Sequence, residues 1–293
     1  MTVLIAVPGS EPHAERLGAL LDLPVLVPQV RQFPDGEIYV RLAVERIEGP
    51  VALVGNLVGD NFLRVAFLAG TARDLGASSV GLVAPYLAYM RQDSRFKPGE
   101  GVTQQYFARL VSSVVDWLIT VDPHLHRIDR LDGIYSIPTT IARAAPAIAQ
   151  WIGSEVKDPV LVGPDAESVQ WVAAVAEACG APFLILEKTR RGDRDVSVSA
   201  PERVWNGHTP VVIDDIVSTG RTMVEATRQL RAAGSTAPMC VAIHAVFADS
   251  VHDELVAAGA RGIITCDTIA HASNRICIAD ALATAVRERL GTA

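Results

Sequence analysis

The chain has 293 residues, 49% of them hydrophobic and 20% charged, enough to bury large cores and long enough to suggest two domains. A formal net charge of -7 and a sequence pI near 5.5 exclude a protein that grips nucleic acid or an anionic membrane through bulk charge, so an anionic ligand has to be held locally. No uncharged apolar run approaches the ~18 residues of a membrane span. The start, "MTVLIAVPGSEP", reads as a first strand and not as a signal peptide. Cys179, Cys240, Cys266 and Cys277 show no C-x-x-C pairing, and three of them sit in apolar contexts that favour reduced core thiols. The cytoplasm is the expected location.

In chain order, "VLIAVPGSEPHAERLGALLDLPVLVPQVR" (3–31) runs apolar strand, polar turn, helix, Pro-containing turn, apolar strand. Next, "RQFPDGEIYVRL" (31–42) carries Pro-Asp-Gly, strong hairpin-turn chemistry. The stretch "VALVGNLV…FLRVAFLAGTARDLGASSVGLVAPYL" (51–87) is strand, helix and strand, and the polar run "RQDSRFKPGE" (91–100) follows it. That run reads as a solvated loop or, through its arginines, as a polyphosphate partner. Then "WLITVDPHLHRID" (117–129) is a strand ending at Asp122, with His124 and His126 beyond it. Their alternation could suit zinc, but no nearby Cys or second His pair completes a tetrahedral set, and a hard cation shared with phosphates and a carboxylate fits better.

The second half repeats this order. The stretch "VLVGPDAESVQWVAAVAEACGAPFLILEK" (160–188) matches 3–31, "VVIDDIVSTGRTMVEATRQLRAAGSTAPMCVAIHAVF" (211–247) matches 51–87, and "GIITCDTIAHASN" (262–274) matches 117–129. Three segments recurring in one order imply an internal duplication whose halves meet near Thr139 to Gly153. The expected domains are residues 1–143 and 144–293, the last helix, "ADALATAVRERL", being able to pack on either. Strands alternating with amphipathic helices predict an α/β fold, each half a mostly parallel sheet flanked by helices, with ligands beyond the carboxyl ends of the strands.

Among the polar clusters at those ends, "VVIDDIVSTGRTM" (211–223) carries the most chemistry. The strand "VVI" is expected to end at Asp214 and Asp215, "VSTGRT" to turn, and a helix with Val224, Thr227 and Leu230 on its inner face to follow. A tight loop entering a helix offers backbone N–H groups and the positive end of a dipole to phosphate, beside the hydroxyls of Ser218, Thr219 and Thr222. Paired carboxylates repel phosphate but suit vicinal sugar hydroxyls or a divalent ion, which makes the inferred ligand a sugar phosphate. No G-x-x-x-x-G-K-[ST] loop is present.

This stretch resembles the 5-phosphoribosyl diphosphate motif of the type I phosphoribosyltransferase fold. Together with "RQFPDGEIYVRL", "PYLAYMRQDSRFKPGEGVT" (85–103), "VDPHLHRID" (121–129) and "VGPDAESVQW" (162–171), it resembles the ribose-phosphate diphosphokinases, a family built of two homologous domains. The resemblance implies ATP and ribose 5-phosphate as substrates, magnesium as cofactor, and a homo-oligomer. Phe33, Asp35 and Glu37 are then the loop that reaches the adenine of ATP at a neighbouring subunit, and Arg91 and Gln92 the ATP-binding pair. His124, at the ATP site, and Asp165 are magnesium-associated, while Lys188 and Arg190 in "EKTR" belong to the catalytic loop. Asp214, Asp215, Ser218, Thr219, Gly220, Arg221 and Thr222 form the ribose 5-phosphate site. Ser94 stands where many members carry a base, and "EKTRRGDRD" departs from the commoner K-R-R loop. "VDPHLH" and "GPDAESVQW" look more like the archaeal-type branch than the phosphate-activated one. A phosphoribosyltransferase would need neither "FPDGE" nor "RQD", and a non-catalytic scaffold would be expected to lose Lys188, Arg190, His124 and Asp165.

Overall fold

The computed structural model describes residues 2–291 apart from 60, 126, 129, 187–188, 192–194, 198–206 and 248–249, and describes 189–191 and 195–197 by their backbone. Two compact units result, Met1–Ala142 with Ala279–Ala293, and Arg143–Ile278.

The first unit runs β1 (Val3–Ala6), α1 (Glu11–Leu21), β2 (Val25–Leu26), β3 (Gln29–Gln32), β4 (Ile38–Arg41), β5 (Gly49–Val54), α2 (Asn61–Asp74), β6 (Ala77–Ala84), α3 (Thr103–Val114), β7 (Trp117–Val121) and β8 (Thr139–Ala142). The second runs α4 (Ala145–Glu155), β9 (Pro159–Gly163), α5 (Val169–Cys179), β10 (Phe183–Ile185), β11 (Thr189–Arg191), β12 (Asp195–Ser197), β13 (Thr209–Val217), α6 (Arg221–Ala232), β14 (Met239–Ala245), α7 (Ser250–Ala257), β15 (Gly262–Cys266) and β16 (Asn274–Ile276). Helix α8 (Ala279–Leu290) then returns to the first unit.

The duplication is visible strand for strand. The first sheet has the order β2-β1-β5-β6-β7-β8 and the second β10-β9-β13-β14-β15-β16, every pairing parallel. In both halves a separate antiparallel hairpin, β3–β4 or β11–β12, follows the second strand. The hairpin carrying Phe33, Asp35 and Glu37 and the hairpin carrying Arg190 are therefore the same element in two copies. The closing helices repeat as well, each packing on the first helix of the half it does not follow: α4 follows β8 yet packs on α5, and α8 follows β16 yet packs on α1, where Arg287 Nη2 donates to Leu20 O at 2.6 Å. The last helix thus belongs with residues 1–142 and not with the half of the sequence that carries it.

Strands covered by helices on both faces are apolar along their whole length, and Leu4, Ile5 and Val51 to Val54 are fully buried. Each unit has its own core, built around Leu53, Leu68, Leu82 and Leu118 in the first and Val162, Val212, Leu230 and Leu255 in the second. Helix α6 buries Val224, Thr227 and Leu230, the stripe expected from its three-residue spacing. None of the four cysteines forms a disulfide; Cys240 and Cys266 are buried, Cys179 is half-buried at the end of α5, and Cys277 is exposed. Among the described residues no helix is long and apolar enough to cross a membrane.

Both sheets reverse direction at the first-laid strand, between β1 and β5 and between β9 and β13. In an open parallel sheet the connections on either side of such a point leave in opposite directions and open a crevice beyond the carboxyl ends of the two strands.

Candidate functional site

In the second unit that crevice lies between β9 and β13, and the acids line it. The two strands stay registered as far as Val212 opposite Val162, and Asp215 and Asp165 follow three residues further along their own segments. The strand does not stop at the acids as the sequence pattern suggested. Asp214, Ile216 and Val217 go on pairing with Ala242, His244 and Ala245 of β14, because only the β9 side of the ladder has ended.

Asp215 is almost fully buried, and Asp214 is half-buried. Asp214 Oδ1 accepts from the Asp215 N–H at 3.0 Å, and Asp215 Oδ1 from the Ile216 N–H at 2.7 Å. Asp165 caps the short turn before α5, its Oδ1 accepting from the Glu167 N–H at 3.1 Å. Burial, and then the negative charges of Asp215 and Asp165, push the Asp214 carboxyl up to about 8. Asp214 therefore feels the charge of both neighbouring carboxylates.

Beyond Val217 the chain turns through half-buried Ser218 and exposed Thr219 to Gly220, which adopts φ 68° and caps α6. Arg221 and Thr222 form the first turn of α6, whose leading N–H groups have no intrahelical acceptor, an arrangement that suits an anion. Gly220 is required twice: for its left-handed backbone, and because a Cβ there would lie 2.6 Å from Val251 Cγ1.

In the first unit the predicted residues lie on the loops after β6 and β7. Gln92 is held at the start of α3, its carbonyl accepting from the Gln104 N–H at 3.3 Å and its Oε1 from Thr103 Oγ1 at 3.2 Å. Exposed Arg91 precedes it, and Tyr89 takes a positive φ of 63° with its ring against Phe107 at 4.5 Å. The loop closes on Glu100, whose Oε2 accepts from the N–H groups of Phe96 and Lys97 at 2.8 and 2.9 Å. Half-buried His124 follows buried Asp122, itself at a φ of 26°. Arg127 joins the two loops by an ion pair to Asp93 at 2.7 Å, the Asp93 side chain being 3% exposed. Arg127 also lies over the Phe96 ring, 5.5 Å from its centre.

Phe33, Asp35 and Glu37 occupy the tip of the β3–β4 hairpin, which stands as its own two-stranded sheet. The Gly36 N–H donates to Phe33 O at 2.9 Å and the Phe33 N–H to Glu37 O at 2.8 Å, around a three-residue Pro-Asp-Gly loop with Gly36 at φ 94°. Asp35 Oδ1 accepts from the Glu37 N–H at 3.1 Å.

The structure therefore gathers Asp165, Asp214, Asp215 and the 218–222 segment into one crevice, links the Arg91–Gln92 loop to the His124 loop, and sets the Phe33 hairpin apart as its own sheet. His124 belongs to the first unit and Asp165 to the second. Lys188 lies outside the described residues, and Arg190 lies on β11 with its backbone opposite Val196. Sequence reasoning did not single out Asp93 with Arg127, nor Arg31 with Tyr39. The second pair had a signal: a three-residue loop centred on Asp35 fixes the register that puts Arg31 across from Tyr39.

Among the described residues no three His, Cys, Asp or Glu side chains converge as a closed ligand set. The donors present in the crevice are carboxylate oxygens whose mutual repulsion a cation would relieve. Such a set fits a hard divalent ion that takes one or two carboxylates and completes its shell from phosphate oxygens and water.

A duplicated, doubly wound parallel sheet whose second copy ends in paired carboxylates and a glycine-capped helix defines a two-domain protein of the phosphoribosyltransferase type. The family model for the phosphoribosyl transferase domain matches residues 131–279, and that for the N-terminal domain of ribose phosphate pyrophosphokinase matches residues 2–114. The chain is 34% identical to the ribose-phosphate pyrophosphokinase of Methanopyrus kandleri, covering 94% of this chain and 95% of that protein. It is 30% identical to the enzyme of the same name from Methanothermobacter thermautotrophicus, over 98% of this chain and all of the relative. The crystal structure of phosphoribosylpyrophosphate synthetase from Mycobacterium smegmatis shares the fold, with a TM-score of 0.83 at 24% identity across 100% of this chain and 99% of that one. The chain belongs to the ribose-phosphate pyrophosphokinase family.

Proposed function

We propose that this protein carries out the reaction of its family. It transfers the β,γ-diphosphoryl group of ATP to the C1 hydroxyl of ribose 5-phosphate, giving 5-phosphoribosyl 1-diphosphate and AMP. The observation that supports this reading most directly is the crevice at β9 and β13, where a carboxylate pair adjoins a helix N-terminus. That pairing suits a ligand with hydroxyls at one end and phosphate at the other.

In this reading Ser218, Thr219, Gly220, Arg221 and Thr222 hold the 5-phosphate, through backbone N–H groups and hydroxyls. Asp214 and Asp215 accept from the ribose hydroxyls and fix the sugar so that O1 points out of the crevice. Arg91, Gln92 and His124 bind the nucleotide, and Phe33, Asp35 and Glu37 reach the adenine of ATP held by a neighbouring subunit, which makes the active form a homo-oligomer. Lys188 and Arg190 neutralise charge on the transferring diphosphoryl group. His124 and Asp165 are the candidate holders of magnesium, which would supply positive charge against the negative charge that opposes attack. The chemistry needs no dedicated base, since aligning O1 with the β-phosphorus and stabilising charge supply most of the acceleration.

Incubation of the purified protein with ATP, ribose 5-phosphate and magnesium, with nucleotides resolved by ion-exchange chromatography, tests the reading. AMP that depends on ribose 5-phosphate is expected, with an equal amount of diphosphorylated sugar. ADP would mean an ordinary kinase, and no turnover would favour a transferase or a scaffold.

A further inference from the structure

The hairpin that carries Phe33 displays a feature on its outer face that the proposed function leaves unused. The register pairs Gln29 with Arg41 and Arg31 with Tyr39, so residues 29, 31, 33, 37, 39 and 41 share one face, while Val40 on the other packs against the core. On the shared face the Arg31 guanidinium carbon lies 4.4 Å from the centre of the Phe33 ring and 4.5 Å from that of Tyr39. The two rings meet edge to face at 90°, their centres 6.3 Å apart. Arg31 is exposed, and its guanidinium lies beside both rings. Arg41 shares the face but reaches Gln29 Oε1 at 3.2 Å.

A cation over one ring face is a common surface contact; a planar cation held by two rings is a clamp. A two-stranded hairpin has little stability of its own, and an aromatic ring at its tip would sample several rotamers in water. The guanidinium ties the tip ring, Phe33, to Tyr39, a half-buried residue further down the hairpin. It therefore removes ring orientations that a flat partner would otherwise have to exclude on binding.

We infer that Arg31 is a positioning residue for nucleotide binding: with its guanidinium close to both Phe33 and Tyr39, it presets the Phe33 ring that meets the adenine. This rests on the reading of the hairpin as an adenine contact. It assigns to Arg31 and Tyr39 a role in affinity for ATP and none in diphosphoryl transfer.

Steady-state kinetics of the full-length protein test it. Arg31→Ala is expected to raise KM for ATP about three- to tenfold, somewhat less than the full worth of two exposed cation–π contacts, with kcat and the KM for ribose 5-phosphate within about twofold of the parent. Arg31→Lys keeps a cation but concentrates its charge on one ammonium that cannot reach both rings equally, so it should recover part of the loss. Tyr39→Leu should resemble Arg31→Ala, and Arg41→Ala should leave all three constants unchanged. As a readout without turnover, the Arg31 side-chain proton resonances should be shifted upfield by the rings and should relax toward random-coil positions in Tyr39→Leu. If Phe33→Ala raises KM for ATP and Arg31→Ala does not, the hairpin reading stands and the role of Arg31 is overturned. Equal damage from Arg31→Ala and Arg41→Ala would mean general loss of the hairpin and would overturn it too. If Phe33→Ala itself leaves KM for ATP unchanged, the adenine reading fails and takes the inference with it.

Discussion

Gly220 packs directly against Val251: a Cβ built on the glycine would stand 2.6 Å from Val251 Cγ1 and 3.3 Å from Cγ2. Helix α7, which carries Val251, thereby packs against the turn through which the 218–220 segment enters α6. Gly220→Ala meets both this overlap and a left-handed φ of 68°, so a loss of about 2–4 kcal/mol is expected in urea denaturation. Val251→Ala in the same chain should return the steric part and leave the backbone part. A double variant no more stable than Gly220→Ala would show that contact with Val251 does not limit the site.

The pH response of the metal-free protein should expose the carboxylate cluster. Asp214 is held at about 8 where 3.8 is ordinary, by burial and by the charges of Asp215 and Asp165. Between these values the folded state keeps a proton that the unfolded chain has released, so this group's contribution to stability falls as pH rises through the window. Asp214→Asn lacks that proton, and the stability of the variant relative to the parent should therefore climb from pH 5 to pH 8. A constant difference across the range would mean that Asp214 does not feel its neighbours.

Arg127 holds together the two loops that carry Arg91, Gln92 and His124. Its partner Asp93 is 3% exposed in its side chain, so removing the guanidinium leaves a buried carboxylate without this cation. Arg127→Ala should cost about 1–3 kcal/mol and raise the KM for ATP more than that for ribose 5-phosphate. In a double-mutant cycle with Asp93→Asn, additive losses would argue that the pair is not coupled.

Lys188→Ala should reduce kcat by orders of magnitude while leaving ribose 5-phosphate binding, measured by calorimetry, nearly intact. Asp214→Asn should do the converse, weakening the apparent affinity for ribose 5-phosphate. An unchanged rate in the first case removes the lysine from the mechanism. An unchanged affinity in the second contradicts the sugar-hydroxyl role.

The architecture was legible in local sequence pattern alone. Apolar runs without alternation mean strands covered on both faces, and three recurring segments mean that whatever the first half builds the second builds again. Both statements rest on local pattern, which is why "VALV" and "VVID" could be recognised as equivalent strands, β5 and β13, before either was seen. The polar residues after each strand were legible for the same reason, since a parallel sheet has only its strand ends left to offer a ligand.

What only the tertiary structure decided are the relations between residues far apart in sequence. Nothing near Asp214 announces that Asp165 raises its pKa, because that follows from β9 ending where β13 continues. Asp93 and Arg127 meet because β6 and β7 are neighbours in the sheet and deliver their loops to one edge. The last helix follows β16 yet packs on α1, since the amphipathic pattern of α8 fits either half and packing alone decides between them. Periodicity tells a residue which face it occupies; the register and order of the strands tell it what stands opposite.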